Sequence, residues 1–158
     1  MQPVATLLLR AMIAVLIALL VFVQVVMIPG VADETARRNP GLAYLEVPGI
    51  IGAVLFLALV QIVLVCVFAL LSLVRADRIF SPHSFRWVDI IIGTMLAAAA
   101  LLVASFIVLA KDGAVNPSIL VLAVFGVVVS LSLALLVSVM RGLLRKALQL
   151  EQDLSEVV

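Results

Sequence analysis

Charge, cysteine and histidine are all scarce in this sequence, and each scarcity excludes a class of protein. Charged residues make up 12% of its 158 residues, about half of their share in a typical soluble domain. A disordered chain would be polar and charged, so intrinsic disorder is excluded. Cys66 has no second cysteine with which to form an intrachain disulfide, and with His83 it gives fewer ligands than a zinc site requires.

Apolar residues take the place of the missing charge. They account for 66% of the chain, and the mean hydropathy is +1.41. A water-soluble domain of this length could not bury so much apolar surface, so the solvent of most of the chain must be lipid. The net charge of +1 gives no electrostatic footprint for nucleic acid. We therefore expect membrane lipids as partners and no direct contact with nucleic acid.

Charged residues divide the chain into four neutral runs of 21 to 28 residues. Each run exceeds the roughly 18–20 residues that a helix needs to cross ~30 Å of hydrocarbon. Prolines mark the boundaries, since proline suits the first turn of a helix and disrupts its interior. The first span is expected to end at Pro29-Gly30, and the others to begin at Pro48, near Pro82 and at Pro117. We predict one all-α domain, an integral membrane four-helix bundle with spans at about 8–30, 48–74, 88–110 and 117–140, and a cytoplasmic amphipathic C-terminal helix over 141–158.

Basic residues favour one side of the predicted spans by seven to three. The positive-inside rule assigns the richer side to the cytoplasm, so both termini and the middle loop are expected there, in a bacterial cell membrane. The richer side has Arg10, Arg75, Arg78, Arg86, Arg141, Arg145 and Lys146, and the poorer side has Arg37, Arg38 and Lys111.

The end of the first span has a second interpretation. Gly30-Val31-Ala32 resembles the small-residue site of a signal peptidase. The apolar run before it is longer than the usual apolar region of a signal peptide, so we favour an uncleaved first helix.

No Asp, Glu, Lys, Arg or His lies inside any of the four runs. Proton relays and intramembrane catalysis usually need ionisable groups at depth. We therefore expect no enzyme activity, catalytic residue, metal or cofactor. The strongest polar groups within the runs are Gln24 and Gln61, which we interpret as interhelical hydrogen-bonding partners or, alternatively, as contacts for a polar ligand or permeating solute.

Small residues recur at four-residue spacing in the last two spans. Such rows let helices approach closely in lipid, either within the bundle or between copies of the chain, and the sequence does not separate packing from a homo-oligomer. The rows are Gly93 and Ala97, Ala100 and Ala104, and Gly126, Ser130, Ala134 and Ser138.

The middle loop holds the densest polar cluster. It could bind a lipid phosphate or the acidic patch of a protein partner, or serve as an ordinary interfacial anchor with a local Arg86–Asp89 ion pair. The candidate contact residues are Arg75, Asp77, Arg78, Phe80, Ser81, His83, Arg86 and Asp89.

The segment after Arg141 is predicted to continue as a helix out of the membrane. Its apolar residues recur at alternating four- and three-residue spacing, which suits self-association, a partner protein or the inner leaflet. They are Leu143, Ala147, Leu150, Leu154 and Val157.

The stretch 75–93 also carries a family resemblance. With the four-span layout, it resembles the bacterial membrane family known as domain of unknown function 2975. Many relatives carry Asn and basic residues where His83 and Ser84 stand here. The resemblance implies a membrane protein without established chemistry, and it suggests a membrane partner for a cytoplasmic regulator. The family pattern is a D-x-x-F-S turn followed by an arginine that opens the third helix, matched here by Asp77, Phe80, Ser81 and Arg86.

Two functional hypotheses follow from these features. The first is a non-enzymatic interaction or regulatory protein that uses the middle loop and the C-terminal helix as its contact surface. The second is a small oligomeric transporter or channel for a neutral or lipophilic solute, with Gln24 and Gln61 in its lining.

Overall fold

The computed structural model describes residues 3–75, 82–111, 113 and 117–156. Regular structure in these ranges is entirely helical. A five-residue π turn (Val23–Met27) joins the first two helices, and a 3-10 turn (Pro40–Leu45) precedes the third. The helices are α1 (Pro3–Phe22), α2 (Ile28–Arg38), α3 (Glu46–Arg75), α4 (Pro82–Lys111) and α5 (Pro117–Glu156).

Four helical stretches within the described residues are long and apolar enough to cross a membrane. The chain is therefore an all-α, multi-pass membrane protein, and this part of the prediction is confirmed. The stretches are Val4–Arg38, Ala43–Leu73, Phe85–Lys111 and Pro117–Leu154.

The first span is predicted to end at Pro29-Gly30, but the helix itself does not stop there. Proline has no N–H to donate to the carbonyl four residues before it, and its ring crowds that carbonyl. The chain accommodates Pro29 with the π turn, in which the Ile28 N–H donates to the carbonyl of Val23, five residues back. The helix then continues as α2 to Arg38.

The π turn also keeps one side of this long helix against α3. Gln24 and Ala36 are twelve residues apart. In a regular α-helix, this separation would turn the side that contacts α3 by about 120° around the helix axis. The additional residue of the π turn reverses about 100° of that rotation. The shielded positions consequently continue from α1 into α2, and they include Thr6, Ile13, Ile17, Leu20, Gln24, Ile28, Ala32 and Ala36.

The helices form an open row rather than a closed bundle. In chain order, each long helix packs against the next: α1 and α2 lie against α3, α3 against α4, and α4 against α5. Among the described residues, no Cα atom of α1 lies within 8 Å of one in α5. The two outer helices therefore each keep a broad apolar side that only lipid or another protein can cover, and the predicted four-helix bundle is corrected to this arrangement.

The starts of α4 at Pro82 and of α5 at Pro117 agree with the sequence, although the expected capping residues Ser81 and Asn116 lie outside the described residues. The segment after Arg141 is not a separate helix. It is the end of α5, which runs for 40 residues without a break and is about 60 Å long at 1.5 Å per residue.

Candidate functional site

The antiparallel row gathers four helix termini at one end of the molecule. These are the beginnings of α1 and α4 and the ends of α3 and α5. We call this the basic end, and its described residues include Arg10, Arg86, Arg141, Arg145 and Lys146. Two side-chain contacts agree with this arrangement. Arg10 of α1 reaches α3, and Arg141 of α5 reaches α4.

An ion pair joins α4 to α5 at the basic end. Nη2 of Arg141 donates to Oδ2 of Asp89 at 2.7 Å, and the two side chains are 29% and 48% exposed. One turn further, the guanidinium of Arg145 lies 5.7 Å from the ring centre of Phe85. The expected Arg86–Asp89 pair is therefore replaced by a pair between helices, because the antiparallel packing puts the last turns of α5 beside the first turns of α4.

A second polar contact joins α1 to α3. Nη2 of Arg10 donates to Oγ of Ser72 at 2.7 Å, and its guanidinium lies 5.3 Å from the ring centre of Phe68. In the sequence, Arg10 served only to assign the orientation of the chain in the membrane, and its contact with α3 was not predicted. The available signal was the position of Ser72 and Phe68 on one face near the end of an apolar run, where a long arginine side chain can reach them.

The structure tests only part of the predicted loop cluster. Arg86 and Asp89 lie in the first turns of α4 and are exposed. Arg75 is the last residue of α3 and His83 is the second residue of α4, but the side chains of these two residues are not described. Four further members lie outside the described residues altogether, namely Asp77, Arg78, Phe80 and Ser81.

The two glutamines within the spans meet at the contact between α3 and the π turn. Nε2 of Gln61 donates to Oε1 of Gln24 at 2.9 Å, and Nε2 of Gln24 donates to the carbonyl oxygen of Val54 at 3.2 Å. Both bonds are partly buried. Each amide thus makes at least one hydrogen bond within the protein, which is valuable where lipid offers no competing partner.

The small-residue rows of α4 and α5 occupy different environments. A Cβ atom added to Gly126 would lie 2.9 Å from Cδ1 of Leu102, and Ala134 is buried, so the α5 row packs against α4. A Cβ atom added to Gly93 would meet nothing within 4 Å, and Ala97, Ala100 and Ala104 are exposed. The α4 row therefore lacks close packing against another helix, and its last member, Ala104, lines an open groove.

An apolar groove of about 620 Å³ lies between α3 and α4, away from the basic end. Its walls include Gly49, Gly52, Phe56, Ala104 and Ser105, and neither glutamine contributes to it. A Cβ atom added to Gly52 would lie 3.6 Å from Oγ of Ser105, an ordinary van der Waals distance, so α3 and α4 approach each other at this point. Among the residues the structure describes, no three His, Cys, Asp or Glu side chains lie together as metal ligands would.

Comparison with known protein families gives a match over most of the chain. The family model described as "Protein of unknown function (DUF2975)" matches residues 30–158. The chain belongs to this family. The DUF2975 match includes the stretch 75–93, and so confirms the resemblance noted in the sequence. It also includes Gln61 and all of α3, α4 and α5, whereas Gln24 and α1 precede it.

No curated protein and no solved structure matches the chain. Membership of the DUF2975 family therefore does not identify a biochemical activity. Function has to be inferred from the geometry of the two ends of the molecule and of the glutamine pair.

Proposed function

We propose that this protein is a non-enzymatic interaction or regulatory protein of the bacterial cytoplasmic membrane, with both termini in the cytoplasm and its contact surface at the basic end. The surface consists of the middle loop, the first turns of α4 and the C-terminal part of α5. One observation carries the proposal: α5 continues beyond its apolar run as a single helix that exposes charged and polar side chains on one side.

The length of α5 supports this placement. Its apolar part, 117–140, spans about 36 Å and is sufficient for the hydrocarbon core. Residues 141–156 extend the same helix by about 24 Å. Arg145, Gln149 and Asp153 are exposed on this extension. A cytoplasmic protein could bind such a surface without entering the bilayer.

The charges at the two ends also differ in how they are paired. At the opposite end, Arg37 contacts Asp33 at 2.8 Å and Arg38 contacts Glu34 at 2.7 Å, each four residues apart on α2. The basic end holds more cations, and Arg86, Arg145 and Lys146 are exposed there. This asymmetry suits attraction of an acidic partner surface or of anionic lipid.

The transport alternative draws less support. Gln61 donates to Gln24, and Gln24 donates to the backbone, so Gln24 in particular has less capacity for a solute. Neither takes part in the groove between α3 and α4.

The test is affinity capture from native membranes after cross-linking, with full-length tagged protein. An Arg86→Gln/Arg145→Gln variant should lose a partner that the unmodified chain retains. Arg37→Gln/Arg38→Gln is the matched control, because it removes two arginines from the opposite end. If both variants capture the same proteins as the unmodified chain while remaining folded, the proposal is contradicted.

A further inference from the structure

The outward side of α5 carries a continuous apolar stripe, which we call the α5 stripe. The α4-facing side of α5 includes Ala134 and Arg141. Leu143 and Leu150 lie about 200° and 180° around the helix from Arg141, at about 100° per residue. In the described part of the chain, α5 packs only against α4, so the stripe has no partner. Its members, all exposed, are Leu136, Met140, Leu143, Ala147, Leu150 and Leu154.

The C-terminal half of the α5 stripe lies beyond the length of helix that is needed to cross the hydrocarbon core. Leu143 and Leu150 are each 63% exposed and Leu154 is 71% exposed. These residues follow an apolar run already long enough to cross the membrane, and the helix does not break between them. A helix that continues straight out of the membrane cannot lie flat on it. Water or another protein must therefore surround these leucines, and a row of water-exposed leucines favours a protein.

The spacing of the α5 stripe matches the heptad repeat of a left-handed coiled coil. Its six residues follow one another at intervals of four, three, four, three and four. In heptad terms, Leu136, Leu143 and Leu150 are all d positions, where parallel two-stranded coiled coils commonly carry leucine, and Met140, Ala147 and Leu154 are the a positions. Two copies that insert with the same orientation present their α5 helices in parallel.

Charge complementarity points to the same occupant. In this register Lys146 is a g position and Glu151 is the e position five residues later. Parallel coiled coils pair g of one helix with the following e of the other. Neither residue has an opposite charge three or four positions away in its own helix, unlike Arg37 and Arg38 at the opposite end.

We propose that the α5 stripe binds the same stripe of a second copy of this chain in parallel, with Lys146 of each copy beside Glu151 of the other. The dimer uses the outward side of α5 and leaves the side with Arg145 and Gln149 uncovered. It does not depend on the proposed cytoplasmic partner.

Cysteine cross-linking in native membranes tests the geometry. In a Cys66→Ala background, Leu143→Cys and Leu150→Cys should each form a disulfide-linked dimer under mild copper–phenanthroline oxidation. Gln149→Cys is the matched control on the polar side of the same turn, and its dimer yield should be several-fold lower. Equal yields at 149 and 150, a cross-linked product of another mass at 150, or a 150 thiol shielded from water-soluble maleimide without dimer formation would each overturn the proposal.

A charge exchange tests the register. Lys146→Glu and Glu151→Lys should each weaken dimerisation by about five-fold, because each places like charges in both symmetric pairs. The double variant restores opposite charges and should regain most of the Leu150→Cys cross-linking. The prediction is overturned if the double variant stays as weak as the singles, or if neither single variant changes the dimer yield while all remain folded by circular dichroism.

Discussion

The two hairpins of this protein are held together by different physical means. The α1–α3 hairpin has amide hydrogen bonds in the interior of its spans, where Gln61, Gln24 and the Val54 carbonyl form a chain. The α4–α5 hairpin has no such amide pair among its described residues, and instead brings Gly126 close to Leu102 and ends in the Asp89–Arg141 ion pair.

This difference reflects the interactions that hold helices together in lipid. Apolar side chains gain little from leaving lipid for a helix interface, so association depends on close packing and on hydrogen bonds. The α1–α3 hairpin, with large side chains along α1, uses hydrogen bonds. The α4–α5 hairpin, with a row of small residues, uses close packing. Substitutions that disrupt close packing or remove a hydrogen bond should therefore destabilise the two hairpins to different extents.

The largest expected effect is on close packing. Gly126→Val would place a Cβ atom 2.9 Å from Cδ1 of Leu102, so the Leu102 side chain has to shift, and the two Cγ methyl groups of valine add further bulk to the α4–α5 contact. We expect a loss of about 1–3 kcal/mol of unfolding free energy, measured by reversible unfolding in mixed micelles. Gly93→Val is the control, because its Cβ atom meets nothing within 4 Å. Equal losses in the two variants would show that the α4–α5 seam is not close-packed.

The second effect is on the glutamine pair. Gln61→Leu removes the bond to Gln24 and should cost about 0.6–2 kcal/mol in the same assay. Gln24→Leu also removes the bond to Val54, so its cost should be at least as large. In a double-mutant cycle, the double variant should cost less than the sum of the singles, since one bond is lost in both. Strict additivity would mean that the two amides do not interact.

The third effect concerns the ion pair at the basic end. Asp89→Asn should lower the unfolding free energy by about 0.2–1 kcal/mol, because the pair is partly exposed and its attraction is screened by water and salt. The loss should shrink at high salt. Asp153→Asn, an exposed position on the extension of α5, is the control and should show no comparable change. A salt-independent loss would point to a cause other than the ion pair.

The smallest effect is expected from Ser72→Ala. The variant loses the Arg10–Ser72 hydrogen bond, but this contact is exposed, so water or a lipid headgroup can replace the hydroxyl. We expect less than about 0.5 kcal/mol, consistent with exposed positions elsewhere. A larger loss would indicate that Arg10 anchors α1 against α3.

Much of the fold could be predicted from the sequence because lipid imposes a simple rule. A neutral run of more than about 20 residues must be helical to satisfy its backbone, and this rule predicted all four crossing helices. It could not predict how the first helix passes Pro29. A π turn depends on the fit of Ile28, Ala32 and Ala36 to α3, which local sequence does not encode.

The candidate site was less predictable. That Gln24 and Gln61 lie in neighbouring spans could be read from the sequence, but their direct bond required the rotation of both helices. The Asp89–Arg141 pair was missed because residues 52 positions apart meet only once the hairpin register is known. The local Arg86–Asp89 alternative needed no tertiary information, and tertiary packing overrode it.

The most direct test of the account is cysteine labelling in intact cells with a membrane-impermeant maleimide, in a Cys66→Ala background. With both termini in the cytoplasm, Thr35→Cys should react from outside, Gln149→Cys only after the membrane is permeabilised, and Val128→Cys in neither condition. Labelling of positions 35 and 149 from the same side, or free labelling at 128, would contradict it.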